Sequence, residues 1–232
     1  SISTSVITRE PILTLEQGDF RWYVNVDNLT PTDAAAALNS TTSVPSAGGI
    51  LRLRMNVAVS ELQLGSGATF KLQYSANSTS GPWTDLSTST TWVFADNSSV
   101  ADGQIIVDLK LTTSDVGESY GESNPSAATP NAILPGQRGE WDWVVANNSA
   151  STESDWHFRM VYSSSTPLDL YARWPKLAAV PPSAPPPVTP PGQAGSGGGG
   201  GTGYYKPPFP EKPRLPVPPP ILPPPLQCAA FS

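Results

Sequence analysis

Hydrophobic and polar residues alternate along most of this chain with a period of two. From Ile50 to Val59, Leu51, Leu53, Met55, Val57 and Val59 share one face, while Arg52, Arg54, Asn56 and Ala58 share the other. Successive side chains of a strand point to opposite sides, so this pattern predicts a half-buried β-strand with its arginines toward solvent. The same alternation recurs at Phe70–Tyr74, Ile105–Leu111, Trp141–Val145 and Trp156–Tyr162. Weaker strands are predicted at Phe20–Val26, Trp83–Leu86, Thr91–Phe94 and Leu168–Trp174. Gly65-Ser-Gly, Ser80-Gly-Pro, Ala101-Asp-Gly and Pro135-Gly supply the turns between them. Only Thr32–Leu38 reads as helix. The expectation is an all-β fold: a β-sandwich, jelly-roll or Ig-like, of about 8–10 strands.

Three segments depart from this pattern. Ser1–Leu15 is strand-like but interrupted by Pro11, and residues 1–18 read as an N-terminal strand or arm that completes its own sheet or, through Ile2 and Val6, exchanges into a neighbouring subunit. Residues 112–138 form a long polar insertion, of the kind that packs on a neighbour or carries function. Beyond the sandwich of residues 19–177, residues 178–232 are rich in Pro and Gly, a composition that dictates polyproline II around a glycine run. From Leu215 to Gln227 this tail carries no charge, and Leu215, Val217, Ile221, Leu222 and Leu226 fall on all three faces of a three-residue helix. A solvated spacer has no need of that. With Tyr204, Tyr205 and Phe209, these are the candidate subunit-interface residues. At about 3.1 Å per residue, Pro207–Pro225 spans about 60 Å, enough to reach another subunit.

Charge narrows the partners. Residues 1–177 carry 18 acidic and 10 basic residues, net −8; the tail has Lys206, Lys212 and Arg214 against Glu211, net +2. Such a body is a poor match for nucleic acid, which needs clustered Lys and Arg. No apolar run approaches the roughly eighteen residues of a membrane helix. Cys228 is the only cysteine, so a disulfide would have to join two subunits. Five Asn-x-Ser/Thr sequons (Asn28, Asn39, Asn77, Asn97, Asn147), and a start at Ser1 that reads as a processed N-terminus, suit a glycosylated extracellular protein.

Catalytic chemistry finds little support. His157 is the only histidine, and no Gly-x-Ser-x-Gly elbow accompanies it. Glu140 and Asp142 share a strand face but read as ordinary solvent-facing acids, and Asp96–Gly103 reads as a polar turn without EF-hand spacing. Of the seven tryptophans, Trp22, Trp141, Trp143 and Trp156 are in phase with the core, and Trp83 and Trp92 lie near turns as candidate sugar-stacking platforms.

Phe20-Arg-Trp, Leu51-Arg-Leu-Arg, Phe70-Lys-Leu-Gln-Tyr, Glu140-Trp-Asp-Trp, Phe158-Arg-Met and Tyr171-Ala-Arg-Trp-Pro-x-Leu together resemble secreted β-domains of the large surface proteins of environmental and uncultured bacteria. The resemblance covers residues 20–177 and implies an exported cell-surface module. The expected function is therefore that of a structural, non-enzymatic subunit of an extracellular filament. It would assemble without cofactors or metals from identical subunits, through the tail and the N-terminal strand. A stalked adhesin or carbohydrate-binding module, with glycans or cell surfaces as partners, is the rival expectation.

Overall fold

A computed structural model describes residues 9–181, and these form two packed sheets. Eleven strands follow in chain order: β1 (Thr14–Val24), β2 (Thr42–Ser43), β3 (Ile50–Ser60), β4 (Phe70–Ala76), β5 (Thr84–Asp85), β6 (Trp92–Phe94), β7 (Val116–Gly121), β8 (Arg138–Asn147), β9 (Trp156–Tyr162), β10 (Leu170–Tyr171) and β11 (Lys176–Ala178). One sheet has the order β10-β1-β3-β8-β6, with β7 also on β8; the other has the order β2-β11-β9-β4-β5. Both are mixed. β1–β10, β2–β11 and β7–β8 are parallel pairs and the rest are antiparallel, so the fold is all-β with two mixed sheets.

The alternation predicted from sequence fills the space between the sheets. Leu53, Met55, Val57, Trp141, Trp143 and Val145 from one sheet meet Phe70, Leu72, Phe158 and Met160 from the other, all fully buried. Aromatic rings lock the layers edge to face: Trp22 on Phe158 at 5.4 Å, Phe70 on Trp141 at 5.1 Å and Trp92 on Phe158 at 5.3 Å. Gln17, also fully buried, bridges the sheets by donating to the Arg173 carbonyl and accepting from the Met160 N–H.

Several expectations are corrected. Arg52, Arg54, Glu140 and Asp142 are not solvent-facing; all four are fully buried. The outer face of the β3–β8 ladder is roofed by the segments around residues 26–29 and 100–111 and by β7, whose Val100, Ile106 and Tyr120 make a second apolar cluster with Val144. Under this roof Arg52 pairs with Asp142, while Arg54 reaches Glu140 at 2.9 Å and Asp142 at 2.6 Å. The remaining donors and acceptors are met by backbone: Arg52 Nη2 donates to the Leu29 carbonyl, and Glu140 accepts from the N–H groups of Lys110 and Leu111. Tyr120 lies 4.8 Å from the Arg52 guanidinium.

Ile105–Leu111 is part of this roof, not a strand; it makes one bridge, Ile105 to Ser119, and leaves Val107 82% exposed. The polar insertion 112–138 contains β7, which pairs along the first half of the β8 edge while β6 takes the second half. Thr32–Leu38 is not helical: Ala34 bridges Tyr23, and the Ala35 N–H donates to the Trp22 carbonyl, so the segment closes the edge of β1. β1 begins at Thr14, so residues 14–18 of the expected arm belong to the sheet. Trp92 is fully buried against Trp156 and Phe158 and is no surface platform.

The strands run between two ends. At one end lie Thr14 opposite Ser60, Arg138 opposite Ala58, and Phe70 opposite Tyr162. At the other lie Ile50 opposite Ala146, Ala76 opposite Trp156, and Ala178 opposite Ser43. The chain therefore enters the sandwich at one end and leaves it at the opposite one, the length of an eleven-residue strand apart, about 35 Å.

Candidate functional site

The outer face of the five-stranded sheet carries the most distinctive surface chemistry of the described residues. β4 and β9 put Phe70, Leu72, Phe158 and Met160 inward, so Lys71, Gln73, His157 and Arg159 point outward, with Gln73 directly opposite Arg159. Two connections bring aromatic rings onto this face. The β4–β5 turn folds Trp83 back through Gly81, whose backbone is left-handed at φ 90° and whose missing Cβ would lie 2.8 Å from the Trp83 ring. A side chain at Gly81 would therefore displace the indole. The segment after β9 brings Tyr171 and Trp174, positioned by the Tyr171 hydroxyl, which donates to the Met160 carbonyl and accepts from the Leu168 N–H.

The rings lie nearly parallel: Trp174 is 4.7 Å from Tyr171 at 17° and 5.4 Å from Trp83 at 19°. The Arg159 guanidinium lies 4.3 Å from the Trp83 centroid and 5.8 Å from that of Tyr171. All four side chains are half-buried. Arg159 Nε donates to Gln73 Oε1 at 2.8 Å, Gln73 Nε2 donates to Asp85 at 2.6 Å, and Lys71 donates to the same carboxylate at 2.9 Å. Burial pushes the Asp85 carboxyl up, but these donors outweigh it and hold the group below its ordinary range. Burial likewise lowers the Arg159 and His157 pKa values.

Among the candidates from sequence, Trp83 belongs to this face, whereas Trp174, Tyr171 and Arg159 were not singled out. Their signal was present but weak: Tyr171-Ala-Arg-Trp breaks the alternation of a buried strand, leaving two aromatics without an inward position. His157 is half-buried, and its Nδ1 has no partner among the described residues. Glu140 and Asp142 are consumed by the buried arginines. In the 96–103 turn the polar groups are likewise engaged, Asn97 with Tyr120 and Asp102 with the Glu122 N–H and Ser123. Among the described residues no three His, Cys, Asp or Glu converge as metal ligands.

The sequons divide sharply. The Asn97 and Asn147 side chains are buried, with their Nδ2 groups donating to Tyr120 and to the Pro45 carbonyl, and Asn39 Nδ2 donates to Asp19 at 2.6 Å. Asn28 and Asn77 are exposed, and each uses only its Oδ1 as an acceptor, from Thr30 and Asp155 respectively. Two surface clefts of about 300 Å³ complete the picture. One is lined by Glu16, Asp19, Arg138 and Arg173, the other by Leu86, Phe94, Asp96 and Glu122.

Ile2, Val6, Tyr204, Tyr205, Phe209, Leu215, Val217, Ile221, Leu222, Leu226 and Cys228 lie outside the described residues. No helix among the described residues is long and apolar enough to cross a membrane. Comparison with protein-family models, curated proteins and solved structures finds no match to this chain.

Proposed function

We propose that this chain is a structural subunit of an extracellular filament, a homopolymer of sandwich domains held non-covalently by its proline-rich tail. One observation carries the reading: the chain enters the sandwich at one end and leaves it at the other, so successive copies connect along the strand direction. A contact of that kind joins different surfaces on the two partners, and repeated without closure it builds a fibre. The sandwich needs no catalytic step for this role.

Its sheet edges do not offer the docking route. The outermost strands β2, β5, β6 and β10 are two or three residues long. The free side of β1 is filled by hydrogen bonds from Ala35, Asn39 and Ala172, and that of β4 by Asn124 and Ser126. Short, covered edges are how sheets avoid pairing with other chains. Assembly is thus assigned to the tail in preference to N-terminal strand exchange.

Sedimentation of the full chain and of a variant lacking residues 182–232 tests this. Concentration-dependent association in the first and a monomer in the second is the expected result; equal association in both contradicts it. A stalked adhesin or carbohydrate-binding module is the second reading, favoured by the half-exposed aromatic face around Trp83 and Trp174.

A further inference from the structure

The aromatic face offers hydrogen-bond donors and almost no free acceptors. The Trp83 and Trp174 indole N–H groups and the two Arg159 Nη groups meet no acceptor among the described residues. The side-chain acceptors nearest the rings already accept bonds within the face, Gln73 Oε1 from Arg159 and each Asp85 oxygen from Gln73 or Lys71, and the unpartnered His157 Nδ1 is buried. A sugar presents donors and acceptors in similar number, and here its hydroxyl donors would find few partners. A proline-rich segment presents acceptors almost alone: each proline lacks an N–H, and a polyproline II helix leaves every carbonyl unpaired.

The chain itself contains such a segment. Eleven of the nineteen residues from Pro207 to Pro225 are proline. At the three-residue period of polyproline II, Pro207, Pro210, Pro213, Pro216 and Pro219 fall on one face, an unbroken stripe of pyrrolidine rings. Aromatic-lined surfaces are where such stripes dock, and here Trp83, Trp174 and Tyr171 form one stack whose exposed edges line the face. Charge points the same way, since the segment carries Lys212 and Arg214 against Glu211, net +1, toward a sandwich of net −8.

We propose that the face formed by Trp83, Tyr171, Trp174 and Arg159 is the docking site for the Pro207–Pro219 stripe of another copy of the chain. The proposal rests on the polymer reading and gives it a contact. Proline rings pack against the exposed part of the aromatic stack, while the indole N–H groups and Arg159 donate to the carbonyls of the incoming segment. Proline fixes its own φ, so a sequence this rich in proline has less conformational freedom to lose on docking.

Photo-cross-linking of the full chain carrying Phe209→p-benzoylphenylalanine tests it, using a mixture of ¹⁵N-labelled and unlabelled copies so that links between copies are identified by mass. The expected result is links between copies to the peptides that contain Trp83, Tyr171 and Trp174, falling at least tenfold in Trp83→Ala/Trp174→Ala. Links confined to other surfaces, to other tails or to the same copy overturn the proposal, and the mapping in the otherwise unaltered chain does not depend on how the double variant folds. Glycan-array binding that is lost in Trp174→Ala, with no tail link to this face, assigns the site to carbohydrate and also overturns it. Electron micrographs of the same samples separate the two levels. Fibres without links to the face remove the docking site and keep the polymer; single particles at every concentration remove the polymer.

Discussion

Arg52, Arg54, Glu140 and Asp142 form a buried network of two positive and two negative groups. Removing one member leaves an unbalanced charge in a medium that solvates it poorly. Asp142→Asn is expected to lower the stability by about 3–5 kcal/mol, measured by urea unfolding. A loss below about 1 kcal/mol would show that water enters the network. These residues are plain in the sequence, but their burial is not. Period-two alternation places them opposite the core and says nothing of a second layer folded over them by residues far along the chain. Glu118 is the other unusual residue, fully buried with neither carboxylate oxygen hydrogen-bonded to a side chain. Burial pushes its pKa up to about 7, opposed only by the Asn131 backbone. A carboxyl raised in the folded state gives stability that is full below its unfolded value and is lost as pH rises through the folded value. Between about pH 4.5 and pH 7, Glu118 therefore makes the protein less stable as pH increases. His157, lowered by burial, acts in the opposite sense just below its ordinary value, so the effect is isolated by difference. The urea midpoint of Glu118→Gln relative to the unaltered chain is expected to rise with pH across this window and then level off; a constant difference would show that Glu118 is ionised throughout.

At the scale of elements, strands with long alternation are legible from sequence and β7 is not. Ile50–Val59, Phe70–Tyr74, Trp141–Val145 and Trp156–Tyr162 all lie within observed strands, because each buries one face between the sheets. Ile105–Leu111 has the same pattern but packs as a roof, with Ile106 and Leu111 inward and Val107 in solvent. β7 reads Val-Gly-Glu-Ser-Tyr-Gly, and its place is fixed by tertiary contact: Gly117 comes so close to the Ile106 carbonyl that a Cβ would lie 1.9 Å from it. Edge closure is equally hidden. Asn124 imitates a neighbouring strand, accepting from the Leu72 N–H and donating to the Leu72 carbonyl, each at 2.8 Å. Asn124→Ala is expected to cost about 1–3 kcal/mol in thermal or urea unfolding, because it leaves the Leu72 N–H without its partner, while the Leu72 carbonyl keeps only the Leu86 N–H. No change in stability would mean that water replaces the amide without loss.

At the scale of the whole molecule, the surface of the sandwich decides what can be attached to it. Glycan is expected on Asn28 and Asn77 and not on Asn97 or Asn147, whose amides are buried donors. Glycopeptide mass spectrometry of native material checks this, and glycan at Asn97 or Asn147 would contradict it. The sequence alone marks all five sequons alike, since the distinction lies in which amide nitrogen the fold uses. The aromatic face is hidden for a related reason: Trp83 and Trp174 are far apart in sequence and meet only when two connections fold onto one sheet.

The central claim is that copies of this chain join end to end through the tail. Negative-stain electron microscopy of the full chain beside the variant lacking residues 182–232 tests it most directly. Unbranched fibres from the full chain and only single particles from the variant are the predicted result. Single particles from both, or fibres of the same form from both, would contradict it.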